Sequence, residues 1–105
     1  MKSQIVRISI GYFPHEQAEK VETMLNNEFK NVLMPAIKKL KGNISYYVGM
    51  DKEKHAITNT SLWKTREDVQ QMATLKEMLD MRITFEALGL TFIDITNHEI
   101  VWELK

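Results

Sequence analysis

Asn59 and Trp63 stand four residues apart in His55–Lys64, a run with Ile57, Leu62 and several hydroxyl residues that reads as a β-strand. Even spacing on a strand puts both side chains on one face. An amide there can hydrogen-bond a carbonyl or an oxyanion while the indole stacks on an aromatic ring. The competing reading makes Trp63 a core residue and Asn59 the partner of a neighbouring strand. Tyr46 and Tyr47 precede them on a strand covering Asn43–Met50. A phenol can donate to a bound ketone or quinone, but alternation sends the two tyrosines to opposite faces, and tyrosine is an ordinary strand residue for which core or interface packing is the favoured reading. His55 can move protons from a cavity rim or sit solvated beside the turn. Asp94, Thr96 and His98 have the even spacing of a carboxylate-oriented imidazole, provided that Asn97 is not the site of a bulge.

Other chemistry is excluded by composition. The 105 residues contain no cysteine, which removes disulfides, zinc-thiolate sites, iron–sulfur clusters and thiol nucleophiles. His15, His55 and His98 are scattered and carry no metal-ligand spacing, so no metal is expected. The four glycines form no phosphate loop and no serine sits in a nucleophile elbow, so no nucleotide or other cofactor is expected. Fourteen basic residues balance fourteen acidic ones, leaving no net field to recruit nucleic acid or an anionic membrane. The segment from Met1 to Arg7 shows neither a signal peptide nor a membrane span, and the expected compartment is the cytoplasm.

The elements that must position these residues follow from periodicity. Gln4–Phe13 alternates, with Val6, Ile8, Ile10 and Tyr12 on one face and Ile5, Arg7, Ser9 and Gly11 on the other. Apolar residues at helical spacing run from Ala18 to Leu40, ending at Gly42, and Pro35 predicts a kink or restart near Met34. The hairpin turn is read as Asp51–Lys54, pairing Met50 with His55 and Tyr46 with Asn59, and placing both with Trp63 on one surface. Thr65 is an N-cap for a second helix running to Leu88, with a break near Asp80 to Met81. Phe92–Leu104 is the last strand. The order βαββαβ is that of a ferredoxin-like α+β domain spanning 1–105, an antiparallel sheet with two helices on one face. The other face is too apolar to leave to water, so a homodimer through the sheet faces is expected.

The segment from Gly42 through the hairpin to Asn59-Thr60-Ser61-Leu62-Trp63-Lys64-Thr65-Arg66-Glu67 resembles the dimeric α/β-barrel superfamily, in its antibiotic biosynthesis monooxygenase-like group. For the cofactor-independent monooxygenases of that group, the resemblance implies catalytic roles for Asn59, Trp63 and Arg82, with Val69 standing where those enzymes have a tyrosine. Haem-degrading relatives would need an asparagine on the first strand, which offers Arg7 and Ser9, and a tryptophan and a histidine where Met72 and Arg82 stand. The implied ligand is a small apolar or aromatic molecule bound near Tyr46, Tyr47, His55 and Met72. Three activities remain open: oxidation of such a ring without a cofactor, non-catalytic ligand binding or stress response, and isomerisation or cyclisation using His55 or His98 as a base.

Overall fold

A computed structural model describes residues 3–105. Met1 and Lys2, on which part of the reading of the leader rests, lie outside the described residues. The strands are β1 (Ile5–Tyr12), β2 (Asn43–Asp51), β3 (Ala56–Trp63), β4 (Thr91–Phe92) and β5 (Thr96–Glu99). They form one antiparallel sheet in the order β2-β3-β1-β4, with β5 also pairing β1. Its inner face is covered by two irregular helical layers. The first comprises α1 (Ala18–Met24), a π-helical turn (Leu25–Phe29) and α2 (Lys30–Lys38). The second comprises α3 (Arg66–Val69), a 3₁₀ segment (Gln70–Thr74) and α4 (Lys76–Ala87). This is the expected ferredoxin-like α+β architecture. Among the described residues no helix is long and apolar enough to cross a membrane.

Both helical layers depart from expectation. The first does not restart at Met34. Its irregularity is the π turn upstream, and α2 runs on through Pro35. Buried Met24 and Phe29 are five residues apart, a step that α-helical spacing would rotate off the core and a π turn accommodates. The second layer breaks at Leu75, whose ψ of 112° is extended, and not at Asp80 to Met81. Its start is as expected: Thr65 Oγ1 accepts the Asp68 backbone N–H at 3.1 Å.

The hairpin register is shifted by two residues, so Met50 faces Ile57, Val48 faces Asn59 and Tyr46 faces Ser61. The turn is Lys52–His55. Asp51 Oδ1 accepts the backbone N–H groups of Glu53 and Lys54, each at 3.0 Å, and His55 takes a left-handed φ of 55° that removes it from the strand. Because the shift is even, the faces survive. A bulge between Asn43 and Ser45 displaces Ile44 from the pattern. The last strand is divided at Ile93–Ile95, where the pairing moves from Gly11↔Phe92 to Ile8↔Thr96 and gains one residue. Residues 101–105 form no strand, and Val101, Trp102 and Leu104 are exposed.

One buried cluster, including Ile5, Phe29, Leu33, Trp63, Met72 and Phe85, lies between the inner face and the helices. On the outer face, Val6, Ile8, Ile10 and Leu62 are half-buried and Tyr12 and Tyr47 are exposed.

Candidate functional site

Across the inner face the registers align side chains in rows. One row is Asn97, Arg7, Ser61 and Tyr46, and the next is Ser9, Asn59 and Val48. These polar rows are flanked on one side by Phe92, Gly11, Ile57 and Met50, and on the other by Ile5 and Trp63. The order follows from alternation along β1 and β3, which places Arg7 and Ser9 inward between Ile5 and Gly11. Gly11 makes room for its neighbour: a Cβ would come within 2.7 Å of the ring of Phe92, its partner on β4.

Above the polar rows is an inner cavity of about 350 Å³. The sheet contributes Arg7, Ser9, Tyr46, Asn59 and Ser61, and the helices contribute Phe29, Met72, Met78, Arg82 and Phe85. Its walls are mainly apolar and carry two guanidinium groups but no Asp or Glu. A second, outer cavity of about 500 Å³ lies between the first helical layer and edge strand β2. Phe29 and Tyr46 line both and form the partition between them.

The polar groups on the inner wall are arranged by one another. Tyr46 Oη donates to Asn59 Oδ1 at 2.6 Å, on the diagonal of the hairpin. Trp63 Nε1 donates to Ser61 Oγ at 2.8 Å. Each oxygen accepts one bond, and the Asn59 NH₂ and the Ser61 O–H remain as donors. Burial pushes the Tyr46 phenol well above the ordinary tyrosine range, with the nearby Arg7 charge opposing in part, so Tyr46 stays protonated and acts as a donor. Desolvation lowers Arg7 from its ordinary value, again opposed in part by Tyr46, and a guanidinium remains charged throughout. Arg82 Cζ lies 5.2 Å from the Phe92 ring centroid, and Nε is 3.6 Å from Glu86 Oε2.

The structure thus brings Asn59, Arg82, Tyr46 and Met72 to one cavity. Three other expected site residues lie elsewhere. Trp63 is 0% exposed and lines neither cavity. It sits at the end of β3, where α3 packs against β1 and β3, so its indole fills the core and touches the site only through Ser61. Tyr47 points from the outer face and is 66% exposed, as alternation requires once Tyr46 is inward. His55 sits at the hairpin turn, packed beside Phe13, with Nε2 3.2 Å from His15 Nδ1 and away from both cavities. His98 is exposed and hydrogen-bonds Thr96 at 2.8 Å, without Asp94. Among the described residues no group of His, Cys, Asp and Glu could hold a metal.

Arg7 is the wall residue whose importance composition does not reveal. A signal was present, since it is the only charged residue in the inward series Ile5, Arg7, Ser9, Gly11.

No family model matches the sequence, and no curated protein matches it. Solved structures do. A candidate antibiotic biosynthesis monooxygenase from Deinococcus radiodurans is 16% identical, with 96% of each chain covered and a TM-score of 0.75. A dimeric ferredoxin-like protein from an uncultured marine organism is 14% identical over 98% of this chain and all of its own, with a TM-score of 0.74. SnoaB, a cofactor-independent oxygenase from Streptomyces nogalater, is 10% identical over 97% of each chain, with a TM-score of 0.66. At these identities the likeness is one of backbone: the chain has the ferredoxin-like α+β fold of the antibiotic biosynthesis monooxygenase-like proteins.

Proposed function

We propose that the chain is a monooxygenase-like enzyme that oxidises a small, flat, electron-rich ring without a bound cofactor. The observation that carries this reading is the inner cavity, a mainly apolar enclosure whose wall carries hydrogen-bond donors and two cations but no carboxylate. Such a wall favours the ionised form of a phenol or a ring ketone, whose carbanion character lets the substrate itself reduce oxygen. For a ring CH₂ the balanced change is R₂CH₂ + O₂ → R₂CO + H₂O. Two C–H bonds break, one oxygen atom enters the ring and the other leaves as water. The protein orients the ring, excludes water and holds the oxyanion against Asn59 Nδ2 and Arg82. The cofactor-independent oxygenase among the similar structures supports the assignment by analogy of fold.

The working unit in this reading is a homodimer in the cytoplasm, with a second copy covering the outer sheet face. The half-buried Val6, Ile8, Ile10 and Leu62 and the exposed Tyr12 and Tyr47 support this, as does the dimeric ferredoxin-like protein among the similar structures.

A non-catalytic ligand-binding role is the second reading, favoured by the burial of both Trp63 and Val69, which leaves two positions implied by the resemblance without a group on the cavity wall. An isomerase or cyclase using His55 or His98 has no support, because neither histidine lines a cavity. Oxygen uptake with a panel of phenols and anthrones tests the first reading. Uptake with formation of the ring ketone or quinone is expected. Binding of the same rings without uptake leaves the binding role.

A further inference from the structure

Arg7 occupies the middle of the polar row, with Asn97 on one side and Ser61 on the other. None of the ion pairs among the described residues includes it, and it makes no hydrogen bond with another described side chain. Among the described residues no buried side-chain nitrogen is left without a partner, so the N–H groups of Arg7 are not sealed off, and Arg7 lines the cavity. This cation is unlike Arg82, which is half-exposed, stacks on Phe92 and is compensated by Glu86. The groups around Arg7 do not compensate it either. Asn59 Oδ1 and Ser61 Oγ bond Tyr46 and Trp63 and not Arg7, and no carboxylate lines the cavity. A charge held partly out of water without an acceptor is unfavourable until an anion arrives.

We propose that Arg7 anchors a carboxylate borne by the ligand, so that the cavity takes aromatic acids in preference to neutral rings. The proposal rests on the reading of the inner cavity as the substrate site and names the class of its substrate. A guanidinium presents a planar fork that matches a carboxylate through two parallel bonds, and the free donor of Ser61 stands beside it in the same row, that of Asn59 in the next. The cavity, at about 350 Å³, is at the small end for ligand sites and suits one or two fused rings with an acid group. Arg7 then fixes one end of the molecule, while Arg82 and Asn59 face the ring oxygen.

Titration calorimetry with 2-naphthoate and its neutral isostere 2-naphthamide tests the assignment on the full chain, without turnover. Wild-type protein binds the acid about tenfold or more tightly than the amide. Arg7→Gln abolishes that preference, and Arg7→Lys, which keeps the charge but loses the fork, retains part of it. Arg7→Gln removes an unpaired charge, so it melts no earlier than wild type, and a loss of preference in a protein that still melts cooperatively is not a loss of fold. Equal binding of acid and amide by wild type overturns the proposal. A preference that survives Arg7→Gln also overturns it and transfers the role to Arg82, and failure of both probes to bind at millimolar concentration overturns it together with the reading of the cavity as the substrate site. Acid preference that depends on Arg7 without oxygen uptake supports the anchor and removes the oxidation reading.

Discussion

The Tyr46 hydroxyl donates to Asn59 Oδ1 at 2.6 Å, and this one bond decides which end of the Asn59 amide faces the cavity. It converts a side chain able to donate or accept into a donor. Tyr46→Phe removes that control and leaves the amide acceptor unpaired. The variant should lose about 1 kcal/mol of stability and bind ionised phenols more weakly than wild type, while binding neutral rings unchanged. Melting curves and calorimetry on the two proteins check this, and an unchanged phenolate affinity would count against a positioning role for Tyr46.

Burial of the same phenol predicts a loss of stability in alkali. The folded state holds the Tyr46 proton more tightly than the unfolded chain, where tyrosine titrates near pH ~10. The resulting stabilisation is complete below that value and declines as the pH rises through the folded value, because the unfolded state has already released its proton. Urea unfolding between pH 8 and 11 should show this decline in wild type and a shallower one in Tyr46→Phe. Parallel declines in the two proteins would assign the effect to other groups.

Trp63 and Asn59 should separate stability from binding. Trp63→Ala truncates a fully buried side chain and should cost roughly 3–5 kcal/mol. Trp63→Phe should cost less while freeing Ser61 Oγ, which alters the donor wall. Asn59→Ala should weaken ligand binding and, by leaving the buried Tyr46 hydroxyl without its acceptor, cost about 1 kcal/mol of stability. An Asn59→Ala protein that melts much earlier yet binds as tightly as wild type would remove Asn59 from the site.

Gly42 is held at φ 78°, and a Cβ there would run into the carboxyl group of Asp68, the buried residue capped by Thr65. Gly42→Ala should therefore cost more than roughly 1 kcal/mol. Gly49→Ala is the control, since its nearest neighbour would be a Thr58 methyl at 3.0 Å. Equal melting temperatures for the two variants would show that the contact between Gly42 and the second helical layer is slack.

The outer sheet face supplies an assembly test. Sedimentation of the wild type at micromolar concentration should give twice the 12.3 kDa chain mass, and Ile8→Lys should give the monomer with its fold intact. A wild-type monomer would end the homodimer reading.

Much of the frame was legible in the sequence because it is written in local patterns. The alternation of Ile5 to Tyr12 gave the two faces of β1, and Thr65 marked the start of the second helical layer. The hairpin register was not legible, because a glycine-free turn leaves its length to the Asp51 carboxylate and to a left-handed His55, neither of which has a sequence signature. Asn59 and Trp63 share a face as their even spacing required. Spacing cannot say how far along β3 the cavity extends, and it ends before Trp63, where α3 closes over the sheet. Arg7 was visible as a charge on an inward series, but its lack of a partner is a property of all the elements that surround it.

The sheet order has a consequence for how the chain comes together. β1 precedes the other four strands in the chain and lies between β3 and the β4–β5 pair, so its partners are residues 56–63 on one side and 91–99 on the other. The hairpin of β2 and β3 closes locally, whereas β1 pairs only after long loops have been drawn in. During synthesis a strand carrying Ile5, Val6, Ile8 and Ile10 therefore waits with both edges open until β3 is made, and with one edge open until β4 and β5 follow. A nascent chain stalled before residue 91 would hold β1 against β3 alone and expose the other edge to any strand nearby.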